Sequence, residues 1–202
     1  IDQSLRVDDG DSAYLSRTPS SVGNQKTFTI SCWVKRAGLG TAQSIFTVGD
    51  ASSNNLWALK INSSDELYWW GPNDAAVAAY MDFQIAALFR DPSAWYHIVL
   101  KIDTTESTEA DRARLYVNGD EVSALVYTHY PDEDSSTYVN TAVRHAVGMD
   151  SKGTDLFWDG YLAEFYFIDG TALDASSFGE TDTATGQWKP IDAKDDLTFG
   201  TN

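Results

Sequence analysis

The chain has 202 residues, 43% of them hydrophobic and 13% aromatic, so it can enclose one sizeable core and is too rich in aromatic residues to be disordered. It carries 30 acidic and 14 basic residues, a net charge of −16 that nucleic acid and anionic lipid would repel. No stretch reaches the ~20 apolar residues of a membrane-spanning helix. We therefore expect no nucleic-acid partner and no membrane insertion.

Alternating apolar and polar residues predict short β-strands in the first half of the chain. The clearest strand places Cys32 on the same face as Phe28 and Ile30. The sole cysteine is therefore expected to be a small buried hydrophobe, and no intrachain disulfide can form. A hairpin is expected around residues 62–65. The strands predicted here are two short ones within 4–15, then 26–36, 43–48, 56–61 and 66–70.

The second half of the chain continues in the same way. Residues 75–90 suit a helix or strands, and the all-β surroundings favour strands. Asn118-Gly119 predicts a type I′ hairpin, because both central residues need positive φ. Asp174 is expected to cap a short helical turn. The other elements are a strand at 96–102, a polar loop at 104–111, strands at 113–117 and 121–125, a polar loop at 127–138, and strands at 142–149 and 161–168.

The last of these strands has two apolar faces, which is typical of burial in a two-layer structure. Strict alternation places Tyr161, Ala163, Phe165 and Phe167 on one face and Leu162, Glu164, Tyr166 and Ile168 on the other. Many short strands without parallel β-α-β units imply an all-β sandwich. We predict one domain over 1–179, and over 180–202 a C-terminal strap or a linker into further chain.

Four segments resemble, in order, the core strands of laminin-G-like and concanavalin A-like jelly rolls. They are FTISCWVKR at 28–36, WYHIVLKID at 95–103, RLYVNGDEV at 114–122 and DGYLAEFYFIDGTAL at 159–173. The resemblance implies a two-sheet antiparallel jelly-roll sandwich that displays loops, commonly for binding sugars. The residues at the family positions are Trp33, Trp95, His97, Asp103, Tyr116, Val117, Asn118, Gly119, Gly160, Leu173 and Phe178.

A narrower resemblance concerns SLRVDDGDSAYLSRTPSS, GNQKTFTISCWVKR and DGYLAEFYFIDGTALDASSFGE. These segments look like lectin-like domains in large structural proteins of marine bacteriophages. The resemblance implies an extracellular virion protein, such as a domain of a tail fibre or capsid appendage. Its expected partners are other virion subunits and further copies of this chain. Because the chain starts at Ile1 without an initiator Met, we expect a processed terminus or part of a longer protein.

The sequence does not favour catalysis. Glycoside hydrolases need two carboxylates about 5–10 Å apart across the scissile bond. The nearest acidic run, DEDSS at 132–136, lies in a predicted loop, and Glu164 is a lone acid on an apolar strand. No Gly-x-Ser-x-Gly elbow accompanies the histidines, and His97 stands at a structural position of the family. We predict a protein that is not an enzyme.

Acidic turns are the candidate metal sites, since calcium takes six to eight oxygen ligands. Clusters occur at 8–11, 50–55 and 150–159, although Asp and Asn also favour ordinary solvated turns. The resemblance implies that Ca²⁺ binds at such rim loops, whereas no Cys/His spacing suggests zinc. The candidate calcium ligands are Asp9, Asp11, Asp155 and Asp159.

Sugars stack on aromatic rings and form hydrogen bonds with polar side chains. The segments YWWGPND at 68–74 and YTHYPDED at 127–134 combine both features. Trp69 and Trp70 must face opposite sides of a strand, although either one could instead pack in the sandwich. The candidate sugar-binding residues are Trp69, Trp70, Asn73, Asp74, Tyr130 and Asp132.

Three functions are consistent with these features. The first is a non-enzymatic virion domain that binds a host-surface glycan. The second is a purely structural virion domain that mediates assembly. The third is a glycoside hydrolase of concanavalin-like fold.

Overall fold

Alternating side chains build two facing sheets in the computed structural model, which describes residues 1, 3–49, 56–71, 80–153 and 155–200. Within these residues no helix is long and apolar enough to span a bilayer. The strands described are β1 (Leu5–Val7), β2 (Leu15–Arg17), β3 (Thr27–Arg36), β4 (Gln43–Val48), β5 (Trp57–Ile61), β6 (Glu66–Gly71), β7 (Met81–Leu88), β8 (Tyr96–Asp103), β9 (Ala113–Val117), β10 (Asp120–Glu121), β11 (Leu125–His129), β12 (His145–Val147), β13 (Gly160–Asp169), β14 (Gly179–Thr181) and β15 (Trp188–Pro190).

The strands form two large antiparallel sheets. The six-stranded sheet has the order β1-β13-β3-β8-β9-β10, and the seven-stranded sheet has the order β11-β7-β6-β5-β4-β12-β2. Strands β14 and β15 form a small hairpin of their own. The predicted class, an all-β two-sheet jelly-roll sandwich, is confirmed.

The core lies between the two large sheets. Strand β3 contributes Phe28, Ile30 and Cys32, all without solvent exposure. Burial raises the pKa of the Cys32 thiol to about 12, so it stays neutral and behaves as a hydrophobe, as predicted. The seven-stranded sheet faces these residues with Trp57, Leu59, Ile61, Leu67, Trp69, Met81 and Phe83.

Strand β13 contains a bulge at Glu164, and the prediction of unbroken alternation from 161 to 168 is wrong. Glu164 has a φ of +46°, and the pairing with β3 shifts register between Ala163 and Tyr166. The extra residue reverses the alternation. Leu162 and Phe165 therefore pack with the same core, whereas Tyr166 packs on the opposite face of the sheet.

The hairpin between β9 and β10 has the predicted turn, since Asn118 and Gly119 have φ angles of +51° and +89°. The strand predicted at 121–125 ends at Glu121, because the chain then crosses to the other sheet. There β11 pairs with β7, so the first residues of the loop predicted at 127–138 form a strand. The reason is tertiary, since the segment covers the exposed edge of β7.

The tail covers the outer face of the six-stranded sheet. The Trp188 indole lies edge to edge with the His97 ring, to which its N–H donates, with ring centroids 6.0 Å apart. A Cβ on Gly119 would lie 2.5 Å from this indole, so glycine at this turn position also leaves the space that Trp188 occupies. The tail, for which the sequence predicted a strap or a linker, contains most of the β14–β15 hairpin.

The predicted cap at Asp174 is also corrected. A 3₁₀ turn does follow at Ala175–Ser177, but Asp174 makes no capping hydrogen bond with its side chain. Its carboxylate instead accepts hydrogen bonds from Lys101 Nζ and the Tyr116 hydroxyl, both at 2.8 Å. Asp174 therefore fixes the start of the tail to the six-stranded sheet.

A buried ion pair joins the two sheets at one end of the sandwich. Arg36, at the end of β3, donates from Nη1 to Asp65 Oδ1 and to the Phe89 carbonyl, each at 2.8 Å. Asp65, in the β5–β6 turn, also accepts from the Gly40 N–H and from Arg90 Nε. Burial opposes ionisation of Asp65, but these hydrogen bonds and the Arg36 charge lower its pKa to about 2.

We expect Asn118→Val to destabilise the fold by about 2 kcal/mol, because a β-branched residue tolerates positive φ poorly. The change also removes Asn118 Oδ1, which accepts a hydrogen bond from the backbone N–H of His97 at 2.8 Å. Urea denaturation measures the loss. The control, Asn118→Gly, keeps the backbone conformation accessible and should lose less. Equal unfolding free energies for Asn118→Val and wild type would contradict the type I′ assignment.

We expect Asp65→Ala to cost about 3–5 kcal/mol, since it leaves the Arg36 guanidinium buried and unpaired. Asp91→Ala, at an exposed carboxylate that bonds to Ser93 within its own turn, is the matched control and should lose at most about 1 kcal/mol. The double variant Arg36→Met/Asp65→Leu should recover much of the loss, because it removes the unpaired charge. Chemical denaturation of the four proteins checks this, and an Asp65→Ala variant as stable as the Asp91→Ala variant would contradict it.

Candidate functional site

The outer face of the seven-stranded sheet presents aromatic and polar side chains in two adjacent rows. In one row, ladder pairing sets Trp70 beside Asp82 and Asp82 beside His129. Side chains two residues further along each strand form the second row on the same face. The opposite face, which includes Trp69, lines the core. We call the outer set the platform, which consists of Lys60, Tyr68, Trp70, Asp82, Gln84 and His129.

Asp82 lies at the centre of the platform with an incomplete set of partners. It is 8% exposed, and its Oδ2 accepts a hydrogen bond from the Tyr80 hydroxyl at 3.3 Å. Its buried Oδ1 has no hydrogen-bond partner among the described residues. Burial raises the pKa of Asp82, although hydrogen bonds from Tyr80 and Tyr68 oppose the shift. A buried acceptor without a partner costs free energy that a ligand hydroxyl would recover.

The side chains around Asp82 combine ring faces with polar groups. Lys60 Nζ lies 5.3 Å from the centroid of the Tyr68 ring. Burial lowers the pKa of Lys60, while the nearby carboxylates of Asp150 and Asp82 act in the opposite direction. The rings of Tyr80 and His129 are 4.3 Å apart. The platform therefore offers apolar ring surface, an ammonium group and a carboxylate within one face.

The structure separates the predicted sugar-binding residues. Trp70 is half-buried on the platform, whereas Trp69 is fully buried in the core and presents no ring to a sugar. Tyr130 packs edge-on against Phe83, with ring centroids 5.2 Å apart. Asp132 is exposed in the loop that follows. The remaining two candidates, Asn73 and Asp74, lie outside the described residues.

Of the six platform residues, only Trp70 was among the predicted site residues. Lys60, Tyr68, Asp82 and Gln84 occupy outward positions on predicted strands or on the ambiguous segment 75–90, whereas His129 lies where a polar loop was predicted. Their proximity depends on the strand order β7-β6-β5. Alternation along neighbouring strands would identify them once that order is known.

Of the four predicted calcium ligands, the structure brings Asp9 and Asp159 near each other. Partial burial raises the pKa of Asp159, and the negative charges of Asp9 and Asp8 add to the shift. Asp11 and Asp155 are exposed. Among the described residues no group of three or more His, Cys, Asp or Glu side chains could hold a metal ion. The cluster predicted at 50–55 lies outside the described residues, and calcium binding stays a prediction.

His97 has both ring nitrogens engaged. Nδ1 accepts a hydrogen bond from Trp188 Nε1–H at 2.9 Å. Because an indole nitrogen can only donate, Nε2 carries the imidazole proton and donates to Ser31 Oγ at 2.9 Å. The ring also stacks on Trp33, with centroids 4.8 Å apart. His97 is thus a fully buried structural group of the six-stranded sheet.

The acids considered for catalysis are also engaged. Asp134 pairs with Lys26 and Glu133 pairs with Arg112, each at 3.2 Å. Glu164 is exposed at the bulge and accepts a hydrogen bond from the Tyr166 hydroxyl. None of these three acids lies on the platform.

The model for the Concanavalin A-like lectin/glucanases superfamily, a laminin G family, matches residues 8–177. Among solved structures, the carbohydrate-binding module CBM40 of the Ruminococcus gnavus IT-sialidase has a TM-score of 0.58 at 13% identity, over 86% of this chain and 93% of the module. The same module has been solved bound to α2,3-sialyllactose. The predicted resemblance to laminin-G-like and concanavalin A-like domains is confirmed.

Two further structures share the fold. A mutant of the NanB sialidase from Streptococcus pneumoniae has a TM-score of 0.61 at 15% identity, over 89% of this chain but only 28% of that enzyme. The heptameric SAP-like pentraxin of Limulus polyphemus has a TM-score of 0.53 at 15% identity, over 84% of this chain and 76% of the pentraxin. Such identities establish the fold alone. No curated protein sequence matches this chain significantly.

Because burial lowers the pKa of His97 to about 4, we expect acid to destabilise the fold. In the unfolded chain the His97 imidazole is protonated near pH 6.5, whereas in the folded chain it stays neutral down to about pH 4. Stability therefore falls as the pH drops from about 6.5 to about 4. Over this pH range, protonation of His97 should lower the free energy of unfolding by about 3 kcal/mol. Unfolding free energies measured from pH 7 to pH 4 should fall less steeply in His97→Gln. An unchanged slope in that variant would contradict the assignment.

Proposed function

The chain belongs to the Concanavalin A-like lectin/glucanases superfamily, and on this basis we propose that it is a non-enzymatic lectin-like domain that binds a glycan on the platform. The observation that carries the proposal is the pairing of Trp70 with Asp82. A half-buried indole stands beside a buried carboxylate oxygen that lacks a partner among the described residues. Sugars combine an apolar face with hydroxyl donors, and this pair offers a surface for each.

The geometry suggests how a sugar ring would bind. Its apolar face would lie on Trp70, and one hydroxyl would donate to the Asp82 carboxylate after a rotation of that side chain exposes Oδ1, which is buried in the unliganded protein. Lys60 and Gln84, one row away on the same face, could then bond to other ring oxygens. Gln84 Nε2 already donates to Glu66 Oε2 at 2.6 Å, which orients the amide before a ligand arrives.

We further propose that the domain belongs to an extracellular bacteriophage virion protein, on a tail fibre or capsid appendage, and that the glycan lies on the host surface. The support is the sequence resemblance of the segments at 4–21, 23–36 and 159–180 to such proteins. The charge of −16 keeps the protein soluble and favours ligands other than polyanions.

A second candidate is a structural domain that mediates virion assembly without sugar affinity. The observation in its favour is a group of exposed apolar side chains near the edge strands β1 and β2. Leu5 and Tyr14 are each 46% exposed, and Leu15 is 55% exposed. Exposed apolar groups of this kind are typical of surfaces that contact another subunit.

Glycan binding can be tested on an array that includes α2,3- and α2,6-sialyllactose and host polysaccharides, with and without millimolar calcium. For any glycan that binds, Trp70→Ala should weaken affinity at least tenfold, because stacking on the indole is lost. Trp95→Ala is the matched control, since Trp95 is a half-buried indole outside the platform. Affinities are measured by calorimetry on variants whose folding is verified by circular dichroism.

The outcomes separate the candidates. Loss of binding in Trp70→Ala alone supports the platform. Loss in Trp95→Ala alone places the glycan elsewhere and contradicts it. A folded protein that binds no glycan in either calcium condition overturns the lectin proposal and favours the assembly role. Release of reducing ends from host polysaccharide would contradict the non-enzymatic assignment.

A further inference from the structure

A small apolar cavity opens between the two sheets, at the edge where β2 pairs with β12. Its volume is about 220 Å³. This edge is distant in the strand order from β6 and β7, which carry the centre of the platform. The residues that line the cavity include Leu15, Arg17, Phe46, Val147, Phe165 and Phe167.

Aromatic rings form the walls. Phe46 lies 5.9 Å from Phe165 and 6.0 Å from Phe167 between ring centroids. The bulge at Glu164 is what directs both of the latter rings inward. His145 also lines the cavity, but its nitrogens are engaged, since Nε2 accepts from the Asn140 N–H and Nδ1 donates to a backbone carbonyl. The interior therefore suits an apolar or aromatic group.

Arg17 supplies a charge at the mouth. It is the last residue of β2, its side chain is exposed, and its backbone pairs with that of His145. Within the described parts of the chain it forms no ion pair or hydrogen bond through its guanidinium. In a chain with 30 acidic residues, a guanidinium without a carboxylate partner is available to a ligand. Arginine binds carboxylates through two parallel hydrogen bonds.

We propose that this cavity binds a small apolar carboxylic acid, with its ring or branched chain among the phenylalanines and its carboxylate on Arg17. A cavity of ~150 Å³ can hold benzene, so this one has room for a ring and a short carboxylate arm. Both contacts are needed, because the cavity gives affinity for the apolar part while Arg17 selects the acid. The proposal is independent of glycan binding on the platform.

The test uses 3-phenylpropionate and its neutral counterpart, 3-phenylpropan-1-ol, titrated into the ¹³C-labelled protein. We expect saturable shifts of the Leu15 and Val147 methyl signals, with the acid binding at least fivefold more tightly than the alcohol. Arg17→Gln should abolish this preference and leave the alcohol affinity within twofold. Arg6→Gln is the matched control, because Arg6 is an exposed arginine that pairs with Asp8 outside the cavity. It should retain the preference.

A second variant tests the apolar part. Val147→Phe should fill the cavity and reduce binding of both compounds at least tenfold, in a protein whose spectrum remains that of a folded sandwich. If Val147→Phe fails to fold, Arg17→Gln decides alone. Equal affinities for the acid and the alcohol, or equal effects of Arg17→Gln and Arg6→Gln, would overturn the assignment to Arg17. The absence of saturable shifts with either compound would overturn the site itself.

Discussion

The ion pair between Arg36 and Asp65 is the constraint on which the arrangement of the two sheets depends. Arg36 ends the central strand of one sheet, and Asp65 lies in the β5–β6 turn of the other. Because the buried Arg36 guanidinium leaves Nε and Nη2 without partners among the described residues, we expect the pair to set register more than to add net stability. Fixing the β5–β6 turn fixes which residues of β5 and β6 face outward. The Trp70–Asp82 row of the platform follows from that register.

Much of the fold was predictable because local alternation determines most of the strands. The bulge at Glu164 was not predictable. Both faces of this strand are mostly apolar, so the sequence alternates acceptably with or without an inserted residue. The crossing at β11 depended on an unpaired edge strand far away in sequence. For the site, alternation showed that Trp69 and Trp70 face opposite sides. It could not show which side is the core, because that depends on the partner strands. Asp82 and Lys60 required the strand order as well.

The two sheets have different relations to solvent. The tail covers the outer face of the six-stranded sheet through Trp188, whose indole N–H is bonded to His97. His97, which occurs in a family motif, therefore holds the tail in place, and both of its ring nitrogens are engaged in structural hydrogen bonds. The outer face of the seven-stranded sheet has no such cover in the described part of the chain. Among the described residues, the platform is therefore part of the broad sheet face that stays uncovered.

The packing of the tail also determines how the domain can be tethered. Ile1 and Gln3 line a common crevice with Ile191 and Lys194, and the Phe199 ring stacks on Tyr166, 6.2 Å away. Both ends of the described chain thus lie on the side of the six-stranded sheet. A protein or surface attached through either end would lie on that side, opposite the platform. Immobilisation by either terminus would leave the platform turned outward, toward whatever the domain meets in solution.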